Sequence, residues 1–196
     1  MPKLGMEPIR RSALVEATIH EVGARGTLDV TVSQIAKRAG MSSALAHHYF
    51  GGKEQIFTAA MRHILALFGA EVRGALSMAR DPHERVEAIL RANFSQTQFR
   101  PETVAAWLNF YVQALKSEEA ARLLNIYQRR LRSNLHHAIR QVAEEPDARM
   151  ITRGLAAMID GLYLRQALRN DPIEANTAID VMLHYLDSAL ARETHE

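Results

Sequence analysis

The stretch "GMSSALAHHYFGGK", residues 40–53, places two histidines side by side, followed by a tyrosine and a phenylalanine. Adjacent histidines suggest a metal, but neighbours on a helix point about 100° apart, so His47 and His48 cannot both face one ion. No carboxylate stands three or four residues from either, and His136–His137 fail on the same geometry. No metal site is expected. No glycine-rich phosphate loop, no G-x-S-x-G and no nucleophile with base and orienter occurs either, so no catalytic residues are expected and the chain does not read as an enzyme.

Side chains of this kind on a short exposed helix suit hydrogen bonding to a partner. "TVSQIAKRAG" reads as a short helix with Val32, Ile35, Ala36 and Ala39 inward and Thr31 as its N-cap. "MSS" is a tight turn, and "SALAHHYF" a second short helix. Two such helices form a helix-turn-helix, whose second helix enters the DNA major groove N-terminal end first. Its outer face offers Ser42, Ser43, His47, His48 and Tyr49, while Ala46 and Phe50 turn inward. Leu45 fits either a thymine methyl or the core. Thr31, Ser33 and Lys53 stand at helix starts, where backbone N–H groups and the helix dipole favour a phosphate.

A second group of residues lies further on. In "TVAAWLNFYVQAL", Trp107, Phe110 and Tyr111 fall on one helical face, with Tyr127 and Tyr163 on later helices. Asp160 interrupts the apolar run "GLAAMIDGLYL" with no Lys or Arg three or four residues away. Rings plus a carboxylate suit a quaternary ammonium ion. The same spacing also fits plain core, with Asp160 bonded to an arginine such as Arg129 or Arg165.

The elements that must position these groups are all helical. Apolar residues recur at a 3.6-residue period and strand alternation is nearly absent. The punctuation predicts about nine helices: about 7–25, 31–39, 42–50, 53–79, 82–98, 101–116, 117–143, 147–170 and, opened by Asp171-Pro172, 172–192. The expected division is a DNA-binding domain over residues 1–52 and a ligand-binding and dimerisation domain over residues 53–196. Ile151, Leu155, Met158, Ile159 and Leu162 line one late helix, and Ile179, Met182, Leu183, Leu186 and Leu190 the other. They fit either a dimer surface, as a four-helix bundle, or an internal helix pair.

Composition agrees with a partner at the N-terminal end. The chain has 196 residues, 47% hydrophobic and 23% charged, with net charge +2 and no cysteine. Residues 1–56 hold seven Lys/Arg against five acids, and the rest holds equal numbers of each, so the basic excess sits beside the helix-turn-helix. The lack of cysteine excludes disulfides and fits a reducing cytoplasm, and no apolar run is long enough to span a membrane.

"TVSQIAKRAGMSSALAHHYFGGKEQIF" resembles the DNA-binding signature of the TetR family of bacterial transcriptional repressors. "MPKLGMEPIRR" and "GLAAMIDGLYLRQAL" are similar to that family's choline-responsive repressors of glycine betaine synthesis. The resemblance implies an all-α homodimer with three N-terminal helices for operator DNA and a C-terminal body for ligand and dimerisation. It implies Tyr49 and Lys53 as phosphate contacts, Ser42, His47 and His48 facing the groove, and no cofactor but an effector, choline. The family often has a larger apolar residue where this chain has Ala46. An efflux-pump repressor sensing hydrophobic cations would share the fold and reading head. A small-molecule enzyme or carrier using the same cavity is the rival from another class.

Overall fold

The structure, a computed structural model, describes residues 5–168 and 173–193. The described residues form nine α-helices: α1 (Met6–Arg25), α2 (Val32–Arg38), α3 (Ser43–Phe50), α4 (Lys53–Met78), α5 (Pro82–Asn93), α6 (Pro101–Ala114), α7 (Glu118–Ile139), α8 (Asp147–Leu168) and α9 (Ala175–Glu193). The expected Asp171-Pro172 start of the last helix lies outside the described residues. No helix among them is long and apolar enough to cross a membrane.

Two compact units divide the chain inside α4, between Leu65 and Ala66. The first comprises the described residues through Leu65 together with Pro101–Arg122. Its helices start where the sequence supplies caps. The Thr31 hydroxyl accepts from the Gln34 N–H while the Gln34 side chain accepts from the Thr31 N–H, a reciprocal capping box. The Ser42 hydroxyl accepts from the Leu45 N–H. Gly26 and Gly51 end α1 and α3 at positive φ, where a side chain is strained. Leu14, Ile19, Val22, Ile35, Ala46, Ile56 and Met61 are buried. α6 packs on α1 closely enough that a Cβ at Gly23 would lie 2.4 Å from Glu102 Cα.

The second unit comprises Ala66–Arg100, Leu123 and the described residues after it. Asp81 caps α5, accepting from the Glu84 N–H at 2.8 Å, and Pro82 opens the helix where no N–H is needed. α5 stops at Asn93 rather than at the predicted residue 98. A longer helix would pair the Asn93 carbonyl with the N–H four residues on. That carbonyl instead accepts the Tyr163 hydroxyl at 2.5 Å, and the turns that follow bury Phe94 and Phe99 against the Tyr163 ring. α9 packs on α8 and on α5, and His83 and Asp187 meet at 2.9 Å across the latter contact. A Cβ at Gly154 would lie 2.2 Å from the Tyr185 hydroxyl oxygen, so this glycine admits α9 to α8.

Candidate functional site

In the first unit α3 presents both twin imidazoles to solvent: His47 and His48 are exposed, as are Thr31, Ser33, Ser42 and Lys53. Ser43, Leu45 and Tyr49 are half-buried, and Ala46 lies in the core. Leu45 is therefore partly packed and partly exposed.

His47 has a fixed hydrogen-bond polarity. Its Nδ1 lies 2.7 Å from the carbonyl of Gly51, which only accepts, so Nδ1 carries the proton and donates. In the neutral ring Nε2 is then an acceptor. Such an atom in a major groove pairs with the amino group of adenine or cytosine. His48 has its ring 5.5 Å from that of Tyr49.

Two basic residues that the helix-turn-helix pattern does not include stand against the end of α3. The Arg10 guanidinium reaches the Tyr49 hydroxyl oxygen at 3.5 Å, and the Arg11 guanidinium carbon stands 5.6 Å from the Tyr49 ring centre and 5.0 Å from that of Phe50. The basic excess near the N-terminus was visible, but the chain fold was needed to bring these two against the end of α3. Lys53 donates to the Leu28 carbonyl at 3.1 Å and remains exposed, so it sits at the rim between loop and helix start.

The sequence-predicted ligand residues fall into both units. Trp107, Phe110 and Tyr111 belong to the first, with the Trp107 ring 5.9 Å from Phe110 and 6.0 Å from Tyr111; the first two are buried and Tyr111 is half-buried. Tyr127, Asp160 and Tyr163 belong to the second. There the Phe68 ring packs edge-on against Tyr127 at 5.5 Å, and Phe94, Phe99 and Tyr163 form a mutual trio. Asp160 is half-buried rather than sealed.

The electrostatics of this group are anionic. Burial pushes the Tyr127 hydroxyl well above the ordinary phenol range, and the Asp160 carboxylate adds to the shift. Burial does the same to Tyr163, with further contributions from Tyr127 and from Glu71. Glu71 accepts from the Ser95 hydroxyl at 2.9 Å. Phe68, Glu71, Asn93, Phe94 and Phe99 are the residues that sequence reasoning missed. Phe94 and Phe99 are five apart, so a helix continued through both would point them about 140° apart; the break after Asn93 brings their rings to 4.8 Å.

Of the residues that fit either a dimer surface or an internal helix pair, Ile151, Leu155, Ile159, Ile179, Met182 and Leu186 are buried within one chain. Met158, Leu162 and Leu183 are half-buried, and Met150, Leu164, Leu168 and Val181 are exposed apolar side chains on the same two helices. The 3.6-residue pattern shows which helices are apolar, but not which flank meets the core.

Comparison with known proteins adds the following. A family model described as bacterial regulatory proteins, tetR family, matches residues 14–60, and one described as BetI-type transcriptional repressor, C-terminal, matches residues 82–191. A relative from Brucella melitensis biotype 2, an HTH-type transcriptional regulator BetI, is 53% identical over 186 residues, 95% of this chain and 94% of that one. A putative transcriptional regulator from Pseudomonas aeruginosa PAO1 superposes with a TM-score of 0.77 at 28% identity, covering 96% of this chain and 93% of its own. A putative transcriptional regulator from Saccharomonospora viridis, solved in complex with choline, has a TM-score of 0.77 at 22% identity, covering 91% of this chain and 93% of its own.

Proposed function

The chain belongs to the TetR family as a transcriptional repressor with a BetI-type C-terminal domain, and on that premise we propose that it represses glycine betaine biosynthesis genes in response to choline. In this reading a homodimer sets two copies of α3 into successive major grooves, about 34–36 Å apart, on a near-palindromic operator. His47 and His48 read base edges. Ser42 and Ser43 face the groove beside them, and Thr31, Ser33, Tyr49 and Lys53, joined by Arg10 and Arg11, hold the phosphates that fix register.

The observation that carries the effector half is the gathering of Phe68, Phe94, Phe99, Tyr127 and Tyr163 with Asp160 in one compact unit. A trimethylammonium group has no N–H to donate, so ring faces and a nearby carboxylate suit it better than a hydrogen-bonded salt bridge. The Saccharomonospora viridis regulator with bound choline supports the same ligand class on the same fold. Phe68 and Glu71 stand on α4, the helix that Lys53 opens at the reading head. Choline acts by binding one of two states of the reading head more tightly, and by linkage operator DNA changes choline affinity by the same factor.

The test is operator binding by fluorescence anisotropy, on DNA selected from a random pool, with choline titrated in. Specific binding that choline shifts supports the reading. Indifference to choline with tight binding of bulky cationic dyes points instead to an efflux-pump repressor. His48→Ala is expected to weaken specific binding while leaving the oligomeric state unchanged; unaltered operator affinity would remove His48 from the reading face.

A further inference from the structure

The turn that follows α5 carries a buried side chain with an unused acceptor. Gln98 is 1% exposed. Its backbone N–H meets Ser95 at the hydroxyl oxygen, 3.3 Å, and at the carbonyl, 3.1 Å, and its own carbonyl lies 3.4 Å from the Tyr163 hydroxyl. The side-chain oxygen Oε1 is sealed from solvent, and no group among the described residues donates to it. The polar groups around it are engaged. The Ser95 hydroxyl donates to Glu71 at 2.9 Å, the Asn93 amide bonds Ile89 and Tyr127, and Tyr127, Asp160 and Tyr163 have further interactions of their own. A buried acceptor with no donor is costly, and a folded protein keeps one where something it binds completes the bond.

Resting on the choline-class reading above, we propose that Gln98 is the specificity-determining residue for the hydroxyl arm of the effector, with Oε1 accepting the hydrogen bond that the alcohol donates. Such a ligand has two ends with different needs. The trimethylammonium end takes ring faces and negative charge, which Phe94, Phe99, Tyr163 and Asp160 supply. The alcohol end carries an O–H that needs an acceptor once out of water. Gln98 stands in the turn between Phe94 and Phe99, whose rings meet at 4.8 Å, and its backbone adjoins the Tyr163 hydroxyl, so its side chain starts within the same cluster. Other oxygens there can take a second hydrogen bond. Oε1 differs because its loss of water is offset by nothing in the protein itself, so a donor gains most at this atom.

Calorimetric titration of the full chain with choline and with ethyltrimethylammonium tests this. The second cation has hydrogen in place of the hydroxyl and keeps the charge and the methyl groups. The unaltered protein is expected to bind choline about three- to ten-fold more tightly, the worth of one hydrogen bond. Affinities within about twofold of each other would overturn the proposal while leaving the effector reading in place. Gln98→Met keeps the length of the side chain and removes the amide. Its choline preference is expected to fall to within about twofold of unity, through loss of choline affinity alone. A structural role for Gln98 would weaken both cations alike, and an acceptor elsewhere in the cluster would preserve the preference; either result overturns the proposal. Should Gln98→Met fail to fold, Gln98→Glu decides, because it keeps an oxygen at the same reach. A preference kept or raised in that variant supports the assignment, and one lost overturns it. If the unaltered protein binds neither cation, the effector reading itself falls and this inference with it.

Discussion

The guanidinium of Arg11 lies over the ring of Tyr49, 5.6 Å from its centre, so that the first turns of α1 brace the far end of the reading helix. The same group also stands 5.0 Å from the Phe50 ring and pairs with Glu7 at 2.8 Å. An arginine in this position has two uses. It stacks on two rings that end α3, and it adds a positive charge beside residues facing phosphate.

Arg11→Ala separates the two uses. The lost stacking is expected to destabilise the protein by about 0.5–1 kcal/mol, because the site is partly exposed. The lost charge is expected to weaken binding to all duplexes alike and to reduce the slope of log affinity against log salt by about one unit. Anisotropy titrations over a salt series measure both. A weaker affinity with an unchanged slope would mean that Arg11 only supports α3 and meets no phosphate.

Glu21 makes a pH-dependent tie within the same unit. It accepts a hydrogen bond from Arg38 of α2 and lies 3.8 Å from Arg25. The Arg38 hydrogen bond holds its carboxyl below the ordinary glutamate value, against an opposing effect of burial. A depressed folded-state value means stability that is present above the unfolded value and lost as pH falls through the folded one. Its contribution is therefore expected to be full at neutral pH and to fade below about pH 4.5, the ordinary glutamate range. Glu21→Gln should be less stable at pH 7, by no more than about 1 kcal/mol because the Arg38 side chain is exposed, and the gap should close on acidification. Denaturant unfolding at pH 7 and pH 3.5 gives the comparison; a gap that persists at acid pH would assign the loss to packing.

Two glycines allow a contrast between hard and soft obstruction. At Gly23 an added Cβ would meet the Glu102 backbone at 2.4 Å, and at Gly154 it would meet the tip of Tyr185 at 2.2 Å. Backbone cannot yield without moving a helix, whereas a tyrosine ring swings aside. Gly23→Ala is expected to cost about 1–3 kcal/mol by forcing α1 and α6 apart. Gly154→Ala is expected to cost less, and Tyr185→Phe in that background should recover part of it. Melting temperatures rank the three, and a Gly154→Ala loss as large as that of Gly23→Ala would contradict the distinction.

The reading head was legible from the sequence because each of its parts is local. Thr31 with Gln34, Ser42 before Leu45, and Gly26 and Gly51 at the helix ends are caps and stops whose partners lie within four residues. Of the set the helical period turned inward, Ile35 and Ala36 are buried while Val32 and Ala39 are half-buried. Arg10 and Arg11 were not legible, since their partners Tyr49 and Phe50 lie some forty residues on and only tertiary packing unites them. The aromatic group failed for another reason. Asn93 looks like an unremarkable helical residue until the Tyr163 hydroxyl, seventy residues away, takes its carbonyl and lets the chain turn. Ile151 and Leu155 mark α8 as apolar, but the period does not say whether that stripe meets its own chain or a second one.

That substitution of a side-chain hydroxyl for a helical N–H can be tested directly. Tyr163 is buried, and its hydroxyl donates to the Asn93 carbonyl at 2.5 Å with the Gln98 carbonyl at 3.4 Å. Tyr163→Phe keeps the ring that packs on Phe94 and Phe99 and removes only the donor. A buried carbonyl deprived of its partner costs about 1–3 kcal/mol. For a chain of this size that corresponds to a fall in Tm of roughly 2–4 °C for each kcal/mol. Because ring faces are retained, choline affinity is expected to change by less than about threefold, well short of the loss expected if the hydroxyl itself held the ligand. Amide hydrogen exchange over residues 93–99 should rise at the same time, since this turn is where the lost bond acts. A variant with unchanged Tm and unchanged exchange in that turn would show that the break after Asn93 is held by the phenylalanine rings alone.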